Sequence, residues 1–209
     1  LVRAGTSSDP CFGSTTMSSV PRILQTRRGP IRLPVFVPVT TFGDRYPLDR
    51  LIRPYLPRLA HAMLVSYPFA KGVKPEEIRL PLFVDSGGFA SLFETSTIVE
   101  DSGLGVLHTR QDDVEDTVHP RHVLDLQEGL ADVAFPLDFP IPPGMDEAQA
   151  RRRFDLTIAN AVWALDNRRR RDLLLFGVVQ AWDADTARES ARTLARRQFD
   201  GFAIGGMVP

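Results

Sequence analysis

The sequence predicts an α/β fold on a parallel sheet, and within that class a TIM-type (β/α)8 barrel that is incomplete. Three observations carry the prediction. Short, nearly continuous apolar runs alternate with longer stretches of helical periodicity, the pattern of strands buried on both faces. The first run leads into PVTTFGDR, without the glycine-rich phosphate loop that opens a nucleotide-binding sheet. Polar or glycine residues instead close several of the later runs, at the strand ends where a barrel collects its site groups.

Taken in order, the strands are residues 33–40 (LPVFVPVT), 62–67 (AMLVSY), 82–85 (LFVD), 131–138 (ADVAFPLD), 173–180 (LLLFGVVQ) and 201–205 (GFAIG), all short and rich in Val, Phe, Leu or Ile. Between them lie four helical segments. Residues 47–59 begin on a proline, and residues 120–129 place His119 at the cap before a first-turn proline. Residues 145–167 read as a third helix, and residues 184–198 carry Ala and Leu at helical spacing. About six strands in 209 residues leave a barrel of eight strands and roughly 250 residues unfinished. Residues 1–28 read as an N-terminal segment, part of it upstream of a native start near Met17. Residues 29–209 read as the barrel, truncated before its last strands.

Composition fits one soluble domain: 43% of residues are hydrophobic, 24% are charged and the formal net charge is −1. It excludes a disordered tail, a collagen-like repeat and a disulfide scaffold. No apolar run reaches the roughly 18 residues of a membrane span, and LVRAGTSSDPCFGSTT lacks the apolar stretch of a secretory signal, so a cytoplasmic protein is expected. Cys11 is the single cysteine and has no partner for a disulfide or a cysteine-based zinc site. Of 25 basic residues only Lys71 and Lys74 are lysine. The arginine runs 151–153 and 168–171 are suited to phosphate, but they fit a solvated helix face better.

The strand ends define a candidate site. Asp85, Ser86, Gly87, Gly88 and Phe89 follow one strand; Asp138, Gln180 and the pair Gly205 and Gly206 close three others. Two carboxylates, an amide, backbone N–H groups and an aromatic face suit a planar base. A carboxylate can accept guanine N1–H and its exocyclic amine together, while O6 and N7 accept from an amide or a glycine N–H. Phe89 offers a stacking face. The competing reading is an ordinary turn, since Asp and Gly form turns at strand ends. His119 and His122 share one helix face without a carboxylate or cysteine partner, so no metal ligands are assigned. Trp163 and Trp182 read as packing or rim residues.

These same residues resemble the tRNA-guanine transglycosylases, which exchange guanine in tRNA for a 7-deazaguanine. LPVFVPVTT (residues 33–41) is similar to the family's TPxFxPVGT, VDSGGF (84–89) to its DSGGF/YQ and HPRHVLDLQEGLADVAFPLD (119–138) to its SPExSIxIQxxLGxDIxMxxD. LFGVVQ (175–180) is similar to LFGIVQGG, and FDGFAIGGM (199–207) to FDGYAIGGL. The resemblance implies a modified (β/α)8 barrel with a zinc-bearing insertion near its C-terminal end. It implies roles residue by residue: Asp85 as general acid/base beside Ser86, Phe89 sandwiching the base, Asp138 reading N1–H and the amine. Gln180 and the backbone of Gly205 and Gly206 meet the base, and the Met207 carbonyl meets the substituent of the incoming one. The chemistry implied is double displacement at a ribose C1′ through a covalent ribosyl-aspartate.

The family's nucleophilic aspartate and its zinc ligands, three Cys and a His, match nothing up to residue 209. No cofactor is therefore expected in this chain, zinc only in a longer parent, and no exchange by the chain alone. Several positions depart from the pattern: Ala90 replaces the signature glutamine, Ala181 and Trp182 replace the paired glycines, and Phe139 replaces an acidic residue. These departures leave three readings: a tRNA enzyme, a DNA-directed 7-deazaguanine transferase and a non-catalytic base- or RNA-binding subunit. The expected partners are tRNA or DNA, a guanine or 7-deazaguanine base, and a second subunit in a homo- or heterodimer, with no membrane.

Overall fold

A computed structural model describes residues 22–42, 46–111 and 114–206. A hairpin, β1 (Ile23–Thr26) and β2 (Gly29–Arg32), comes first. Helix α1 (Pro47–Ile52), a 3-10 turn (Arg53–Tyr55) and α2 (Leu56–Leu59) lead to β3 (Met63–Ser66), α3 (Tyr67–Ala70) and β4 (Leu82–Asp85). Three antiparallel strands follow: β5 (Ser96–Asp101), β6 (Leu104–Gln111) and β7 (Val114–Val118). The chain then alternates through α4 (Pro120–Leu130), β8 (Val133–Ala134), α5 (Glu147–Asn167), β9 (Leu174–Val179), α6 (Ala184–Ala195) and β10 (Gly201–Ile204).

Strands β3, β4, β8, β9 and β10 form one parallel sheet in which each lies beside the next, so the sheet is wound in one direction with no reversal. Their register sorts the apolar residues onto two faces. Leu64, Phe83, Val133 and Leu174 line up on one face, packed against Ile31 of the hairpin and against Leu33, Val35 and Val37. Val65, Val84, Ala134 and Leu175 line the other, covered by Leu124, Leu130 and Ala164 from the helices. Each of the Val, Leu, Ile and Phe side chains taken fully out of water contributes about 1.5–3 kcal/mol. The hairpin is tied to the sheet by Asp132, whose fully buried carboxylate accepts from the Arg28 guanidinium at 2.5 Å, Arg28 N at 3.1 Å and Leu82 N at 2.8 Å.

Several expectations need correction. Residues 33–40 do not form a strand: only Val39 bridges Leu64, through Thr40 N to Leu64 O and Leu64 N to Pro38 O. Pro34 and Pro38 have no N–H to continue a ladder. Residues 131–138 shrink to the two-residue β8, again before a proline, Pro136. The helix expected over 47–59 breaks into three pieces around Pro54 and Pro57. The antiparallel sheet at 96–118 was not anticipated at all, and the hairpin at 23–32 straddles the boundary drawn at residue 28. No helix among the described residues is long and apolar enough to cross a membrane.

The arginine runs are largely engaged within the fold. Arg151 pairs with Asp155 and Glu189, Arg168 with Asp200, and Arg169 with Asp125 and Glu128. Arg170 donates to the carbonyls of Glu128 and Ala131.

Candidate base-binding site

The site begins where β4 ends. Asp85 lies in register with Ser66 on the same sheet face as Leu64 and Phe83, and its Oδ2 accepts from Ser66 Oγ at 3.2 Å and Gly87 N at 3.1 Å. The chain then turns through Gly87, at φ +77°, into a short 3-10 turn over Gly88–Leu92. Gly88 is required by contact: a Cβ there would stand 1.8 Å from the carbonyl oxygen of Asp138. The loops after β4 and β8 therefore touch backbone to backbone.

That contact brings three buried polar side chains together. Ser86 Oγ donates to Asp138 Oδ1 at 2.7 Å and accepts from Gly88 N at 3.2 Å; Gln180 Nε2 donates to Asp138 Oδ2 at 2.7 Å. Ser86 is completely buried, Gln180 is 2% exposed and Asp138 is 8% exposed. Burial first, and the Asp85 carboxylate second, push the Asp138 carboxyl up to about 6, while the bonds from Ser86 and Gln180 oppose the rise. Gln180 Oε1 is buried with no hydrogen-bond partner among the described residues. Such an acceptor is costly unless something donates to it.

Gly205 and Gly206, just after β10, close the far side of the site. A Cβ on Gly205 would lie 2.2 Å from Gln180 Nε2, and one on Gly206, at φ +69°, would lie 3.4 Å from Gln180 Oε1. Phe89 follows Gly88 directly; its ring is 55% exposed and edge-on to Phe93 at 5.9 Å. The structure thus brings Asp85, Ser86, Asp138, Gln180, Gly205 and Gly206 into one constellation with Phe89 at its rim, and Met207 lies outside the described residues. Chemically, the constellation offers a desolvated carboxylate with two partly used oxygens, a free amide acceptor and an adjacent second carboxylate. It suits a flat ligand rich in N–H groups.

Other residues hold this geometry without having been expected to. Gln127 of α4, fully buried, donates from Nε2 to Val84 O and Phe135 O and so ties β4 to β8. Thr157 Oγ1 accepts from Phe139 N, and Asn160 Nδ2 donates to Leu137 O, so α5 fixes the segment on either side of Asp138. Trp182 packs edge-on against Phe154 at 5.9 Å, in a cluster with Ile141 and Met145. His119 caps α4 by accepting from Arg121 N at 3.1 Å. Burial and the neighbouring His122 lower its imidazole from the usual range.

Residues 74–209 match the family described as TGT, Queuine tRNA-ribosyltransferase. A queuine tRNA-ribosyltransferase of Oleidesulfovibrio alaskensis is 29% identical over 210 aligned positions, covering 88% of this chain and 53% of that protein. One of Caulobacter vibrioides is 29% identical over 212 positions, covering 89% and 54%. The tRNA-guanine(15) transglycosylase of Methanocaldococcus jannaschii is 36% identical over 119 residues, covering 54% of this chain and 17% of that protein. The chain spans about half the length of the curated queuine tRNA-ribosyltransferases it matches over most of its own length.

Proposed function

Because the chain belongs to the queuine tRNA-ribosyltransferase family, we propose that it carries the base-recognition half of a base-exchange transglycosylase. In this reading guanine in a nucleic acid, taken to be tRNA, is replaced by a 7-deazaguanine through a covalent ribosyl-aspartate whose nucleophile lies outside residues 1–209. The observation that carries it is the buried Ser86–Asp138–Gln180 network with the unpartnered Gln180 Oε1 beside it.

Asp138 accepts N1–H and the exocyclic amine of the base, which no neutral side chain can do with two equivalent oxygens. The Gly206 backbone N–H donates to the acceptor edge of the base, the free Gln180 Oε1 accepts from one of its N–H groups and Phe89 covers the ring, while the Gly205 N–H is engaged with Val179 O at 2.9 Å and Gly205 serves to let the backbone lie against Gln180. Asp85 holds or returns the proton that the departing base needs. The Asp85 charge helps raise the Asp138 carboxyl, as a neighbouring carboxylate does in an acid/base pair.

The sheet is read as about six strands of a TIM-type (β/α)8 barrel, with the Val39 bridge marking its first strand beside β3. Among the described residues no three His, Cys, Asp or Glu side chains converge to fit the family's zinc. Zinc is proposed only for a longer protein that carries the family's cysteine and histidine ligands. tRNA, the exchanged base and a second subunit are the proposed partners. A second reading, a DNA-directed 7-deazaguanine transferase or a silent base-binding subunit, is favoured by one feature. Trp182 and the fully buried Phe139, each seated in an apolar cluster, stand where family members carry glycine and an acid.

Calorimetric titration of the chain with guanine tests the proposal. Saturable binding is expected, weakened at least about a hundredfold in Asp138→Ala by loss of two charge-assisted hydrogen bonds, and no labelled guanine should enter tRNA. Absence of saturable binding, or an unchanged affinity in Asp138→Ala, would overturn it.

A further inference from the structure

The two loops that meet at the site are joined a second time, at their outer ends. Arg153, on the second turn of α5, donates from Nη1 to Ser91 Oγ at 2.8 Å and to Pro140 O at 2.9 Å, and from Nη2 to Ser91 O at 2.9 Å. Ser91 lies in the 3-10 turn that begins at Gly88 and carries Phe89; it is 5% exposed. Pro140 stands two residues after Asp138. None of these acceptors is a carboxylate, and partial burial of the guanidinium lowers its basicity. A half-buried cation held by neutral oxygens has given up solvation without gaining an ion pair.

Three donors in a fixed plane are what this junction needs, and only a guanidinium supplies them. Two of its N–H groups grip the hydroxyl and carbonyl of Ser91, and a third bond reaches across to the other loop. Together with the Ser86–Asp138 bond and the Gly88–Asp138 contact on the inner side, the loops are fastened at two levels. Rotation of one loop against the other would move Phe89 and Ser86 relative to Asp138 together.

We infer that Arg153 is a positioning residue for base recognition: it locks the Phe89 loop onto the Asp138 loop, so that stacking face and reading carboxylate meet one planar ligand. The inference rests on the guanine-site reading above. It predicts a loss in ligand affinity out of proportion to any loss in stability, because the clamp's energy is spent on geometry that only the ligand tests.

Guanine titration of wild type, Arg153→Ala and Arg153→Lys, beside thermal melting of each, decides the matter. Arg153→Ala is expected to bind at least tenfold more weakly in its folded state, with partial recovery on adding millimolar free guanidinium. Arg153→Lys, which keeps the charge but not the fork, is expected to fall between. If Arg153→Ala does not fold, Arg153→Lys alone carries the comparison. Affinities within twofold of wild type in the folded variants would overturn the clamp while leaving the base site standing. A wild-type chain that binds no guanine would overturn the base site itself, and the clamp with it.

Discussion

Burial and the neighbouring Asp85 carboxylate raise the Asp138 carboxyl from 3.8 to about 6, so the folded chain keeps a proton there that the unfolded chain releases at lower pH. Between those values the folded state binds more protons than the unfolded one. Stability attributable to Asp138 therefore falls as pH rises from about 4 to about 6 and stays reduced above, by an amount on the order of 3 kcal/mol. Asp138→Asn should remove that penalty, since an amide can donate to Ser86 Oγ and accept from Gln180 Nε2. Its melting temperature is expected above wild type at pH 8 and close to it at pH 4, with guanine binding lost at both. Guanine affinity of the wild type is expected to rise with pH through about 6, as the carboxyl becomes the carboxylate that accepts both N–H groups. Melting curves and titrations across pH 4–8 check both statements; a variant less stable than wild type at pH 8 would contradict the first.

The elements show where a one-dimensional reading succeeds and where it fails. β4 and β9 were legible because an uninterrupted apolar run has no other use in a chain of this composition. Residues 33–40 and 131–138 have the same apolar density, yet prolines at 34, 38 and 136 remove the donors a ladder needs, and most of each run stays outside the sheet. The sheet at 96–118 was missed although its tight turn is marked: Ser102 and Gly103 both adopt positive φ, at +53° and +80°, as a two-residue hairpin turn requires. Asp85, Asp138 and Gln180 were visible because each closes an apolar run of the sequence, although Asp138 stands four residues beyond the end of β8. Gln127 and Arg153 were not, since their partners are main-chain oxygens or a serine up to 62 residues away, which leaves no spacing to detect. Asp132 belongs with them, because it joins the hairpin to the sheet over 104 residues. Asp132→Ala strands Arg28 and the Leu82 N–H in the interior and is expected to cost about 3–5 kcal/mol in urea denaturation; a cost below about 1 kcal/mol would show that the hairpin does not depend on it.

For the whole molecule, the parallel sheet does one thing for function: it delivers side chains from separate strands to a common end. Ser66, Asp85, Gln180 and Gly205 come from four strands or their immediate ends, and the segment after β8 adds Asp138. Wound in one direction with helices on one face, the sheet leaves Phe202 and Ile204 of its β10 edge 49% and 73% exposed and leaves Phe36 and Val39 exposed near the β3 edge. The central claim, however, is local: Asp138 reads the N1–H and exocyclic amine of a guanine. Parallel calorimetric titration of the chain with guanine and hypoxanthine, which differ by that amine alone, tests it most directly. Guanine is expected to bind the wild type at least tenfold more tightly than hypoxanthine does, with binding of either base lost in Asp138→Asn. Equal affinities for the two bases in the wild type would contradict the account.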